Sequence, residues 1–361
     1  MPTSQRARRR YVPRGQVNPF LLPLSAGFRF GVALRHAAYK RGWFKISRLA
    51  RPVVSVGNLT VGGTGKTPLV ACIANILLRQ GWKPSILTRG YGRSSKAEMI
   101  VLDPGAGRRA DAREVGDEPA LLARALPEVP LVICANRFLG GQAAEERFQV
   151  DAHILDDGFQ HLALARDVDV LALDVTQSIS DWCLLPTGRQ REPLSALRRA
   201  QIVVLTRTDS SDPKPLEDLV RKAHPAPKLF RSRTRLLGWT NALGGEAMSI
   251  EEIHAQKVAA FCGIGNPQAF FGDVRRWGFD LVAEDAFPDH HVYTGEEIQR
   301  LVAGARKNGA AALLTTQKDA LKIPRAWTPP LPILACTIEA QLLGAEDFER
   351  TLLAYLKKAH S

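Results

Sequence analysis

Residues 53–70, VVSVGNLTVGGTGKTPLV, carry an apolar, β-rich run into a glycine loop and out into a helical pattern, an order few folds accommodate. A phosphate cradle needs backbone N–H groups converging on an anion, glycines where the chain must come close, and a helix N-terminus behind them. VGGTGKT (61–67) supplies all three. Gly62, Gly63 and Gly65 allow tight turns around Thr64, Lys66 can reach the β- and γ-phosphates, and the Thr67 hydroxyl can ligate Mg²⁺. Pro68 falls in the first helical turn, where its missing N–H does little harm. The usual G-x-x-x-x-G-K-[ST] spacing asks for a glycine where this chain has Thr60. Because the glycines are compacted into G-G-x-G-K-T, the cradle is kept and the loop is expected to bind a nucleotide. It resembles the deviant loop of partner-switching ATPases, but Val61 stands where that class carries its defining lysine.

Around this loop the chain alternates short apolar runs with helical patterns. Leu69, Ile73, Ile76 and Leu77 fall on one stripe of a helix expected from Lys66 to about Gln80, which Gly81 and Pro84 end. Strands are expected at 85–88, 131–135, 153–157, 169–174 and 202–206. Apolar strands separated by helices read as an α/β fold, a parallel sheet of P-loop NTPase type with helices on both faces. Near Phe230–Trp239 the alternation pauses in a stretch rich in Arg, Thr and Gly, which reads as a hinge. A smaller second α/β domain follows, with strands at 257–265, 311–316 and 332–337. The expected organisation is a basic leader and amphipathic helix (1–51), a P-loop nucleotide-binding domain (52–230) and a smaller domain closing over the nucleotide (231–361).

Charge is unevenly placed. Twelve of the 49 Lys/Arg lie in residues 1–51 together with none of the 36 Asp/Glu, so the rest holds 37 basic against 36 acidic side chains. The body is neutral, which argues against a nucleic-acid groove and points to an anionic surface met by the arm. The arm's longest uncharged run, Gly15–Phe28, is broken by Pro19 and Pro23 and is too short to span a bilayer. Its aromatic and Arg/Lys residues suit a helix lying in the headgroup region of an anionic leaflet. Five dispersed cysteines form no C-x-x-C pair and suggest a reducing compartment without structural zinc.

Other polar segments mark a site. HILDD (153–157) ends in Asp156 and Asp157, apolar then acidic, as a strand offering carboxylates to Mg²⁺ requires. PTGRQREP (186–193) holds Arg189 and Arg191, suited to an anionic group or developing phosphoryl charge. Asp117 in VGDEPALLA reads equally as a helix N-cap or a functional carboxylate. His290 and His291 in FPDHHVYTGEE precede a capping box, Thr294 with Glu297. TRGYGR (88–93) adds two arginines and a tyrosine after the second strand.

GNLTVGGTGKTP, RGYGR, GDEP, DDGFQH, REP and FPDHH, in that order, resemble the tetraacyldisaccharide 4′-kinase family of lipid A biosynthesis, from about residue 20 to about 325. Thr60 is itself part of that resemblance. It implies a membrane-associated kinase at the cytoplasmic face of the bacterial inner membrane, peripheral or monotopic. Such an enzyme moves the γ-phosphoryl of ATP to the 4′-hydroxyl of an anionic lipid, tetraacyldisaccharide 1-phosphate. Carried onto this chain, Lys66 and Thr67 would hold the phosphates and Mg²⁺, and Asp156 and Asp157 would complete the metal site. Asp117, supported by His290, would deprotonate or orient the sugar hydroxyl, and Arg191 would stabilise transferring charge. The rival reading is a switch ATPase or GTPase without a small-molecule acceptor, to which VVLTRTD (203–209) lends a base-reading look.

Overall fold

The structure is a computed structural model that describes residues 19–178, 182–244, 247–248, 256–324 and 328–360. The leader at residues 1–18 lies outside them. The first described helix is α1 (Leu22–Lys40), and the first unit then runs β1 (Val53–Gly57), α2 (Lys66–Arg79), β2 (Pro84–Thr88), β3 (Met99–Leu102), α3 (Ala112–Val115) and α4 (Asp117–Ala125). It continues through β4 (Leu131–Cys134), α5 (Arg137–Phe148), β5 (Ala152–Asp156), β6 (Val168–Asp174), β7 (Ile202–Thr206) and α6 (Lys214–Ala223). Beyond it come β8 (Lys228–Asn241), β9 (Ala247–Met248), β10 (Lys257–Cys262), α7 (Pro267–Arg276) and β11 (Asp280–Ala286). The chain closes with α8 (Gly295–Lys307), β12 (Ala312–Thr316), α9 (Gln317–Ala320), β13 (Ile333–Leu343) and α10 (Ala345–His360).

The described strands form one sheet in the order β11-β10-β12-β13-β8-β7-β6-β1-β5-β2-β4-β3, with β9 against β8. It is parallel-dominated but mixed: β3 is antiparallel to β4, and β8 is antiparallel to β13 and to β9. Strand β1 lies between β5 and β6, with Val56 opposite Asp156 and Gly57 opposite Leu171. The glycine loop and the acidic end of β5 therefore leave the sheet side by side, where loops of an open α/β sheet collect ligands.

The stretch read as a pause and hinge at Phe230–Trp239 is instead part of β8. Its alternation is real but polar: Arg231, Arg233 and Arg235 face water, while Ser232 and Leu236 are buried and Thr234 half-buried on the other face. Serine and threonine at inward positions hid a period of two that the backbone follows. Strand β8 pairs in parallel with β7 at its start and with β13 along most of its length, which carries one sheet through both units.

Leu69, Ile73, Ile76 and Leu77 bury the α2 stripe completely, each contributing roughly 1.5–3 kcal/mol. The final helix returns to the same core, where Phe348, Leu352 and Leu356 share a cluster with that stripe. The second unit has its own cores on either side of β10, β12 and β13, including Trp239, Phe270 and Phe271 on one face and Phe261, Tyr293 and Ile298 on the other.

Candidate active site

Gly65 adopts a left-handed conformation (φ 79°) as it hands the loop to α2, and no side chain caps that helix. Its first N–H groups are thus aimed out of the helix end with the dipole behind them. The loop is braced from beneath: Asn58 donates to Thr64 Oγ1 at 2.9 Å, and Thr206 Oγ1 donates to the Thr64 carbonyl at 3.0 Å. The off-pattern Thr60 is buried and donates to Gln177 Oε1 at 2.9 Å, so a hydrogen bond fixes the loop's entry where a glycine is usual.

The second unit closes directly on this loop. A Cβ on Gly265 would lie 2.8 Å from Gly62 Cα, and one on Gly62 would strike the Arg189 guanidinium, which donates to the Gly265 carbonyl at 3.2 Å. The GIG turn at 263–265 is therefore a packing surface for the P-loop.

Lys66 Nζ stands 3.4 Å from Asp157 Oδ1, and Arg191 donates to Asp157 Oδ2 at 2.7 Å. Burial disfavours the Asp157 carboxylate, yet Lys66 and Arg191 outweigh it and hold its pKa below the ordinary value. Asp156 is buried deeper. Thr88 donates to its Oδ2 at 3.2 Å, while Oδ1 has no partner. Burial, with Glu118 and Asp157 nearby, pushes its pKa up to about 7. An orphaned, enclosed carboxylate oxygen beside a phosphate loop fits a divalent cation, which would restore its charged form. Arg137 is also buried on this side, with its Nε unpartnered. Burial and the Arg89 charge lower its pKa against the opposing pull of Asp157 and Asp156.

Asp117 is the first residue of α4 behind the cap Gly116, so the N-cap reading is replaced. Its Oδ2 lies 3.1 Å from His290 Nδ1 and 3.1 Å from Lys322 Nζ. Burial opposes ionisation, but His290, Lys322 and Lys318 prevail and hold the Asp117 pKa below its usual value. His290 Nε2 lies 3.4 Å from Lys318 Nζ. Because a lysine only donates, that nitrogen accepts and Nδ1–H donates to Asp117, which assigns the tautomer. His291 is committed elsewhere: it pairs with Glu297 Oε2 at 3.1 Å beside the Thr294–Glu297 capping box.

Among the described non-glycine residues with positive φ, Asp157 (50°), Arg207 (58°) and His290 (63°) belong to this region. Such strain persists where surroundings over-determine it. Arg207 shows how: it donates to Asp174 Oδ2 at 2.5 Å and to the Gly63 carbonyl at 3.1 Å, and Asn266 of the second unit donates to the same Asp174 oxygen at 3.2 Å. Sequence reasoning missed Arg137, Arg207, Asp174, Lys318 and Lys322 as site residues. The signal was present in TTQKDALK (315–322), two lysines one helical turn apart flanking an aspartate.

Helix α1 lies along the same end. Ser25 and Thr187 hydroxyls meet at 2.6 Å, and Arg35 donates to the Gln160 carbonyl at 3.0 Å. Between helix and site lies a 410 Å³ cavity lined by Phe28, Val32, Arg35, Gln160, Arg191 and Glu192. Phe20, Leu24, Phe30 and Leu34 face outward, as do Trp43, Phe44 and Ile46 just beyond the helix. Among the described residues no helix is long and apolar enough to cross a membrane.

The tetraacyldisaccharide-1-P 4′-kinase family profile matches residues 17–357. The chain is 39% identical over 332 residues to the tetraacyldisaccharide 4′-kinase of Geobacter metallireducens, covering 92% of this chain and 96% of the relative. It is 41% identical over 345 residues to the enzyme of that name from Anaeromyxobacter sp. (strain K), covering 94% and 91%. Among solved structures it is similar to LpxK of Aquifex aeolicus in complex with ATP, with a TM-score of 0.73 and 30% identity over 93% of this chain and 98% of that one.

Proposed function

The chain belongs to the tetraacyldisaccharide 4′-kinase family, and from that premise we propose how its own residues phosphorylate the 4′-hydroxyl of tetraacyldisaccharide 1-phosphate. It is an ATP-dependent, Mg²⁺-using kinase of lipid A biosynthesis, with an alcohol as acceptor. Gly62, Gly63, Thr64 and Gly65 with the α2 N-terminus cradle the phosphates, and Lys66 neutralises their charge. Thr67, Asp156 and Asp157 would hold Mg²⁺, which when bound neutralises charge developing on the phosphate oxygens. Arg191, held on Asp157, supplies a cation to the transferring phosphoryl group.

An alcohol is a weak nucleophile, and a positioned base is worth roughly 10²–10⁴-fold. Asp117 fills that role in this reading. Both its short cationic and imidazole contacts fall on Oδ2, leaving Oδ1 for the hydroxyl proton. As the sugar oxygen bonds to Pγ, the bond from Pγ to the ADP oxygen breaks, and the proton passes to Asp117. His290 holds the carboxylate's rotamer from the second unit. Residues 52–230 carry the phosphate loop, and residues 231–361, whose last helix is rooted on the first core, close over the nucleotide and exclude water.

The acceptor is an anionic lipid, and the arm at 1–51 places the site at its surface. Exposed aromatic and aliphatic residues on and after α1, with basic residues between them, suit the headgroup region of the cytoplasmic leaflet of the inner membrane, giving a peripheral or monotopic enzyme. The cavity between α1 and Arg191 joins that surface to the phosphoryl group, and the acceptor enters there. A neutral body gives nucleic acid no comparable attraction.

The observation that carries this reading is the meeting of Asp117 and His290, from different units, beside a braced P-loop. ADP release in detergent micelles tests it, with and without tetraacyldisaccharide 1-phosphate. Release that depends on the lipid supports a kinase; release at one rate regardless of lipid would support a switch ATPase instead.

A further inference from the structure

The segment TTQKDALK sets a short helical turn at the end of β12, where Thr316 Oγ1 accepts from the Asp319 N–H at 3.1 Å. That turn buries Asp319 completely. A carboxylate withdrawn from water needs donors, and Asp319 has them: Thr316 Oγ1 at 2.6 Å and Tyr293 OH at 3.0 Å. Its remaining charge faces Lys322 Nζ at 3.8 Å.

Lys322 is itself buried, its ammonium enclosed between two carboxylates, with Asp117 the nearer at 3.1 Å. Four residues earlier and on the same face, Lys318 reaches Asp289 at 3.2 Å, His290 Nε2 at 3.4 Å and Glu118 at 3.8 Å. One turn of the second unit therefore addresses both Asp117 and His290. A buried ion pair is a poor device for stability alone, since well-packed apolar residues of similar volume often do as well or better. Its value here lies in charge and direction.

We propose that Lys322, anchored by Asp319, is a positioning residue for Asp117: it supplies the counter-charge that keeps this carboxylate ionised and aimed. The proposal rests on the reading of Asp117 as the base. The groups facing Asp117 are His290, Lys322 and Lys318 from the second unit and Glu118 from its own helix; Asp319 stands behind Lys322 and Asp289 beside His290. Removing the Lys322 charge leaves Asp117 facing burial with less compensation, so protonation begins at higher pH.

The test is the pH dependence of kcat/KM for the lipid acceptor in the full-length enzyme, comparing wild type with K322M, K322Q, K322R and D117N. K322M should displace the acid limb to higher pH, with a loss on the order of tenfold on the acid side beyond its loss at neutral pH, and leave the KM for ATP unchanged. K322R keeps the charge and should keep the wild-type limb even if kcat falls. K322Q removes the same charge but keeps a polar side chain; it should move the limb in the same direction as K322M, and it decides the matter if K322M fails to fold. A K322M limb superimposed on wild type, or a K322Q limb unmoved where K322M cannot be measured, would overturn the proposal. An inactive D117N beside an unshifted K322M removes Lys322 alone, whereas D117N at the wild-type rate removes the base reading and the proposal with it.

Discussion

Asp117 and His290 lie 173 residues apart in the chain and 3.1 Å apart in the fold, one opening α4 of the P-loop unit and the other in the loop after β11 of the second unit. Neither is worth much as a lone surface residue. Together they make a carboxylate whose rotamer is set by an imidazole whose tautomer is set by Lys318. His290→Ala should lower kcat on the order of 10- to 100-fold through misplacement of the base, with ATP binding intact. Steady-state kinetics beside an ATP titration checks this, and unchanged turnover would remove His290 from the account.

Thr60 answers for the loop's departure from the usual pattern. Replacing it with the expected glycine would delete the donor to Gln177 Oε1 and add backbone freedom at the loop's entry. Thr60→Gly should therefore destabilise the protein by about 1–3 kcal/mol without tightening ATP. Denaturant unfolding and nucleotide titration measure the two sides, and a tighter-binding, equally stable variant would contradict the role given to this hydrogen bond.

His161 sets an acid limit on the fold. Burial, then the charges of Arg137, Arg166, Arg35 and Arg89, lower its pKa from 6.5 to about 4. The folded value lies below the unfolded one, so the unfolded chain takes up the proton first as pH falls. Stability present above pH 6.5 is then lost progressively toward pH 4. His161→Gln should show a smaller fall in melting temperature than wild type between about pH 7 and about pH 4.5. Parallel curves for the two proteins would show that His161 does not contribute to this loss.

The arm makes a surface prediction. Phe30 and Trp43 are 71% and 67% exposed, and burying each in a headgroup region is worth roughly 1.5–3 kcal/mol. The double variant F30S/W43S should bind anionic vesicles at least about tenfold more weakly at an unchanged melting temperature, and added salt should weaken both proteins. Equal vesicle binding by variant and wild type would place the membrane contact elsewhere.

What could be read in advance followed from spacing. The P-loop needs its glycines, Lys66 and Thr67 within a few residues, and an apolar strand ending in Asp156–Asp157 marks itself as a source of carboxylates for the phosphate-bound cation. Most of the other strands are short and apolar, which is why they were legible, although β3, β9 and β11 were not foreseen. Strand β8 was not, because arginines alternate with serine and threonine where aliphatic residues would have marked the pleat. Lys318, Lys322, Arg137 and Arg207 were illegible for a different reason. Each acts on a partner brought in by the sheet from far along the chain, such as Lys322 on Asp117 or Arg207 on Gly63 and Asp174. A lysine on a polar helical turn carries no local mark of what it will face.

The most direct measurement is transfer of labelled γ-phosphate from ATP to tetraacyldisaccharide 1-phosphate in micelles, by wild type and by Asp117→Asn. With Asp117 as the base, wild type yields labelled lipid and the variant loses transfer on the order of 10²–10⁴-fold, at undiminished ATP affinity. Transfer by Asp117→Asn at the wild-type rate would contradict that role, and the proton would have to leave by another residue.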